Sequence, residues 1–128
     1  MIVVDTSALM AIQFGEPEAV AMRQILQRRA CVGAPTLLEY YMVVGGRHGE
    51  GGRLEAQALV ERLDLAIINW TEDHVTLAVD AFFRFGKGKH PAKLNFGDCM
   101  AYAMAKSFDA PLLFKGGDFV LTDVKAAL

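Results

Sequence analysis

Four short apolar runs, Ile2–Val4, Cys31–Ala34, Leu65–Ile68 and Pro111–Phe114, are separated from one another by stretches of helical periodicity. Apolar runs of this length without alternation are what a strand buried on both faces requires. Strands that alternate with helices make βαβ units, which wind right-handed into a parallel sheet covered on both sides. The expected fold is therefore α/β, with a parallel central sheet of four to five strands and helices on both faces. A chain of 128 residues with 53% hydrophobic content suits one domain over residues 1–128 and can bury a core.

Between the strands, Glu16 and Pro17 open a helix in which Ala19, Met22 and Leu26 share a face. A second helix follows Pro35, with Leu38, Tyr41 and Met42 on one face, until the glycines at 45, 46, 49, 51 and 52 break it. Arg53–Leu63 forms another, with Leu59 and Leu63 on one side. Thr71 is an N-cap, Glu72 and Asp73 favour the positive end of the dipole, and Val75, Ala78, Val79, Phe82 and Phe83 make a core stripe. The last helix spans Phe96–Ser107.

Composition narrows the functional classes. No apolar stretch approaches the roughly 20 residues of a membrane span, and Met1 runs into the first strand without a basic leader, so a soluble, cytoplasmic protein is expected. Cys31 and Cys99 stand far apart, without zinc-type spacing, and pack as small core residues. His48, His74 and His90 fall in loop or helix-surface contexts. The net charge of -2 gives no overall pull on a polyanion. Its distribution is more informative: RFGKGKHPAK carries Arg84, Lys87, Lys89 and Lys93 with no acid. Such a loop either follows a phosphate backbone or is a solvated connector.

The acids are placed more tellingly. Asp5 ends the first strand, where open α/β sheets hold ligands, though Asp5 or Thr6 also suits the cap of the next helix. Glu39 in TLLEYYMV and Asp98 in NFGDCMAYAMAK interrupt apolar helix starts, and Asp118 follows PLLFKGG. Strand ends and the helix starts they feed share one edge, so all four carboxylates meet on one rim. Crowded carboxylates repel unless a cation neutralises them, and oxygen-only ligation suits Mg²⁺ or Mn²⁺. That chemistry favours a phosphodiester substrate over four separate caps and turn residues.

VVDTSALMAI, TLLEYYMVV, LNFGDCMAYAMAK and PLLFKGGDFVLTDV, in this order across nearly the whole chain, resemble the PIN-domain ribonucleases, above all VapC toxins of bacterial toxin–antitoxin pairs. The resemblance implies a single PIN-like domain and a Mg²⁺-dependent endoribonuclease. Its catalytic, metal-holding acids map onto Asp5, Glu39, Asp98 and Asp118, with Thr6 and Ser7 in support. Gly117 stands where similar toxins often carry Asp or Asn, which leaves Asp123 as helper to the fourth acid. A VapB-type antitoxin is the implied partner, placing a basic residue into the acidic cleft. Arg84, Lys87, Lys89 and Lys93 are the candidate RNA contacts, and apolar Tyr40, Tyr41 and Met42 suggest a homodimer surface. A receiver-like phosphoacceptor fits less well, needing an acid pair directly after the first strand. A non-catalytic module that holds only a metal or a partner's side chain is the other rival.

Overall fold

The computed structural model describes residues 1–128. The elements run β1 (Ile2–Val4), α1 (Thr6–Gln13), α2 (Ala19–Ile25), β2 (Ala30–Gly33), α3 (Ala34–Arg62), β3 (Ala66–Ile68), α4 (Glu72–Phe85), α5 (Phe96–Ser107) and β4 (Leu112–Leu113), with a 3-10 turn at Phe119–Leu121. Every strand pair is parallel and the spatial order is β3-β2-β1-β4, as the four apolar runs predict. No helix is long and apolar enough to cross a membrane.

Side chains alternate across each strand, and the alternation builds two cores. Ile2, Val4, Val32 and Leu113 pack on one face with Leu9, Ile12, Tyr40 and Leu59 from α1 and α3. Val3, Cys31 and Leu112 point the other way, toward Leu94, Tyr102 and Met104. Both cysteines are buried and free. Because β1 pairs through Val3 with Cys31 of β2 and with Leu112 of β4, the strand order reverses between β1 and β4. That reversal opens a crevice at the carboxyl ends of these two strands.

Local elements depart from the sequence reading in several places. Gly15, at φ 62°, turns the chain, so α2 starts at Ala19 rather than Glu16, while Ala19, Met22 and Leu26 are buried as expected. The glycine cluster does break the helix, later than its first glycines: the helical stretch Ala34–Arg62, labelled α3, is two helices that meet at a kink at Gly49 (φ 73°, ψ -168°). The buried face of its first half is Thr36, Tyr40 and Val44, spaced four apart, whereas Leu38 and Met42 face solvent. Tyr40 is fully buried and donates to the Gln13 side chain, so it belongs to no surface patch. β3 is an edge strand with Ile67 exposed, not a fully buried one.

The largest correction concerns α4. Its apolar stripe exists but faces outward: Val75, Val79, Phe82 and Phe83 are exposed, and the buried positions are His74 and Ala81. The reason is that α4 packs on α5 rather than on the sheet, and close helix approach takes the small Ala81. His74 is therefore no surface residue. Its Nδ1 accepts from the Thr71 backbone N–H at 2.9 Å and its Nε2 lies 3.1 Å from Ser107 Oγ, which completes the Thr71 cap.

Candidate active site

The crevice between β1 and β4 is where the first acid sits. Asp5 is 4% exposed and caps α1, its Oδ2 accepting from Ser7 N at 3.1 Å and Ser7 Oγ at 2.6 Å. The cap and the site are thus one residue. Ser7 Oγ in turn accepts from the Lys115 backbone N–H at 3.0 Å, just past β4, so the hydroxyl links both strand ends and fixes the carboxylate between them. Burial pushes the Asp5 carboxyl up to about 6; the Ser7 bonds oppose this, and the charges of Asp98 and Glu39 add to it.

Asp98 reaches the same rim by another cap. Asn95 Oδ1 accepts from Asp98 N at 2.8 Å, and Asp98 Oδ2 accepts from Asn95 N at 3.1 Å, a reciprocal box that starts α5. Burial raises the Asp98 carboxyl too, against the Asn95 N–H, with Asp118 and Glu39 adding repulsion. Glu39 projects from the second turn of α3 and accepts from Thr6 Oγ1. A Cβ built on Gly97 would overlap the Glu39 carboxylate; only glycine lets that side chain pass the start of α5. Gly97 is the site residue that the sequence reading missed, although FGDC displays it, because its role appears only once α3 and α5 are adjacent.

The crevice therefore brings together Asp5, Glu39 and Asp98, with Asp118 beside Asp98 from the exposed turn after β4. No three His, Cys, Asp or Glu side chains close on one ligating point; the acids ring the crevice instead. This open arrangement fits a hydrated hard ion, since Mg²⁺ keeps several waters and takes one or two carboxylates directly. Asp5 is the strongest argument for that fit, because a desolvated carboxylate facing two others gains most from a cation.

Asp123 lies elsewhere. It accepts from Tyr102 Oη at 2.6 Å and pairs with Arg84 at 3.3 Å and Lys106 at 3.4 Å, which hold its carboxyl below the usual range against partial burial. Its carboxylate anchors the C-terminal tail to α4 and α5 and takes no part in the acidic ring. Arg84 is likewise engaged, with Asp80 at 3.2 Å and Asp123. Lys89 sets its ammonium 5.0 Å from the Phe83 ring centroid and 5.4 Å from that of Phe82. Lys87 and Lys93 are exposed and pair with no acid. The loop that carries them is pinned at its base, where Lys87 N donates to Leu94 O and Leu94 N to Phe85 O, both at 3.0 Å.

Comparison with known proteins places this geometry. The PIN domain family model matches residues 2–125. Ribonuclease VapC36 of Mycobacterium tuberculosis is 40% identical over 126 residues, covering 96% of this chain and 91% of the relative. Ribonuclease VapC of Mycolicibacterium smegmatis is also 40% identical over 126 residues, covering 97% and 98%. Among solved structures, Mycobacterium tuberculosis VapC20, described as a sarcin-ricin loop cleaving toxin, superposes with TM-score 0.74 at 18% identity, over 98% of this chain and 99% of that one. Rickettsia felis VapBC2, bound to a promoter DNA fragment, gives 0.76 at 13% identity over 98% and 97%. These two share the fold. Matched by its family model along nearly its full length and 40% identical to VapC ribonucleases, the chain belongs to the PIN domain family, among the VapC proteins.

Proposed function

We propose that this chain is a Mg²⁺-dependent endoribonuclease, active in the cytoplasm as the toxin of a VapBC-type pair and restrained by a cognate VapB-type antitoxin. The observation that carries the reading is the buried Asp5 carboxylate, tied down by Ser7 and facing Asp98 and Glu39 in the crevice between β1 and β4. Asp5 and Asp98 hold the ion, with Mn²⁺ as a substitute, Glu39 is aimed by Thr6, and Asp118 approaches from the solvent side. When bound, the ion supplies an activated water and neutralises charge on the phosphodiester. Lys87 and Lys93 offer the free cations for an RNA backbone along the rim. The names of the 40% identical relatives support the ribonuclease reading, and solved toxin–antitoxin complexes of the same fold support the partner.

A receiver-like reading also calls for a Lys just past the last strand that faces the first-strand acid, and Lys115 does not meet that need. Its ammonium pairs with Glu16 and Glu18 rather than with Asp5. The deciding experiment is cleavage of a labelled single-stranded RNA by purified protein, with Mg²⁺ and with EDTA, for wild type and Asp98→Asn. Cleavage by wild type with Mg²⁺ alone is expected. Equal cleavage in EDTA, or by Asp98→Asn, sinks the metal site, and retention of RNA without cleavage at any metal level returns the non-catalytic module.

A further inference from the structure

Asp118 comes to the acidic ring from the least constrained stretch of the rim. Its neighbours Gly116 and Gly117 are exposed, and Gly116 stands at φ 107°. Apart from chain neighbours, no heavy atom comes within 4 Å of a Cβ placed on either glycine. Asp118 is exposed, forms no side-chain cap on the turn it starts and pairs with no cation. Successive glycines leave a backbone many accessible states, so the place of this carboxylate is set from the two ends of the span. At the far end Phe119 is buried, its ring centroid 5.1 Å from that of Phe114. The near end is Lys115.

Lys115 is fastened twice. Its backbone N–H donates to Ser7 Oγ at 3.0 Å, and the same hydroxyl holds Asp5. Its ammonium lies between two carboxylates, pairing with Glu16 and, at 3.2 Å, with Glu18. Both glutamates stand on a stiff turn between α1 and α2. Gly15 at φ 62° reverses the chain, Glu16 N donates to Ala11 O and Glu16 O accepts from Ala19 N, both at 2.9 Å, and Pro17 between the two acids has a fixed φ. An ion pair this exposed contributes little to stability. What it contributes is direction: the backbone bond fixes one point of Lys115, the clamped ammonium fixes a second, and together they set the course on which the chain leaves for Gly116.

We infer that Lys115 is the positioning residue of the fourth acid. Clamped by Glu16 and Glu18, it holds the base of the Gly116–Gly117 span so that Asp118 stands beside Asp98, a role that rests on the reading of the crevice as a metal site. Electrostatics alone predicts the opposite sign for its loss. An ammonium near a ring of carboxylates repels an incoming cation, so removing only its charge would tighten metal binding, whereas removing the positioning weakens it.

Titration of the metal-free full chain with Mn²⁺, the free ion read by electron paramagnetic resonance, tests this without any cleavage step. Lys115→Met should weaken Mn²⁺ binding by about tenfold, the lower end of the range for groups that orient metal ligands, at an unchanged melting temperature. Lys115→Arg, which keeps a cation between the two glutamates, should retain the wild-type affinity. In an Asp118→Asn background Lys115→Met should weaken binding no further, because a residue that acts through Asp118 has nothing left to position. Wild-type or tighter binding by Lys115→Met overturns the inference, as does Lys115→Arg binding as weakly as Lys115→Met, or an undiminished further loss in the Asp118→Asn background. A lowered melting temperature accompanying the weaker binding of Lys115→Met also overturns it, assigning the lysine to the fold. Absence of Mn²⁺ uptake by wild type overturns the metal reading and the inference with it, which sets that failure apart from the others.

Discussion

Asp5 is penalised twice for its position, losing water and facing two other carboxylates. Its carboxyl moves from 3.8 to about 6 on folding, so between those values the folded state holds a proton that the unfolded chain has released. Stability of the metal-free protein should therefore rise as pH falls from 7 toward 5, the reverse of an ion-paired acid. At about 1.36 kcal/mol per unit the penalty at pH 7 is about 3 kcal/mol. We expect Asp5→Asn, in EDTA, to be more stable than wild type by up to that amount at pH 7 and by about half as much at pH 5, while cleavage is abolished; urea unfolding at both pH values measures it. Gly97→Ala separates the site from its scaffold in another way. Alanine should favour α5 by up to about 1 kcal/mol, yet its Cβ displaces Glu39 from Thr6. We expect an intact or higher melting temperature with cleavage and Mg²⁺ affinity down by roughly 10- to 100-fold, the scale of supporting residues around a metal. Full activity in Gly97→Ala would show that Glu39 need not stand where Thr6 holds it.

Among the elements, the short ties around α5 carry the next expectations. Tyr102 is fully buried and its hydroxyl donates to Asp123. Removing that acceptor by Asp123→Ala should cost about 1–3 kcal/mol, the range for an orphaned buried donor, with turnover at saturating RNA retained below the lowered melting point. Loss of turnover without loss of stability would return Asp123 to the acidic ring. For the loop between α4 and α5, replacing Lys87 and Lys93 by Ala should flatten the salt dependence of RNA binding by roughly 0.7 for each phosphate left without its lysine. Arg84→Ala should act through stability instead, because its guanidinium is already paired. The sequence revealed the strands, the full span of α5 and the rim placement of Asp5, Glu39 and Asp98, because strand burial and helix caps are written locally. It misassigned the α4 stripe because periodicity reports that a helix has an apolar face, not whether the sheet or another molecule covers it. It likewise set Asp123 beside the fourth acid because Arg84, Lys106 and Tyr102 are distant in sequence and meet it only in the fold.

At the scale of the whole molecule, function concentrates where the strand order reverses, and each half of the chain delivers its acids there from a different direction. Glu39 comes from the helix after β2, Asp98 from the helix before β4, and Asp5 from the central strand. The two edges of the sheet, by contrast, are treated unequally. The tail closes the β4 side: Leu112 N donates to Lys125 O at 2.8 Å and Ala127 N to Leu112 O at 2.9 Å, a bridge through Ala126. The β3 side ends on exposed Ile67. An uncovered apolar edge is a template for strand addition, and natural proteins shield such edges. Colloidal behaviour should follow that asymmetry. Deleting residues 124–128 would bare a second edge and turn a chain with one adhesive margin into one that can grow in both directions, as turbidity during refolding would record.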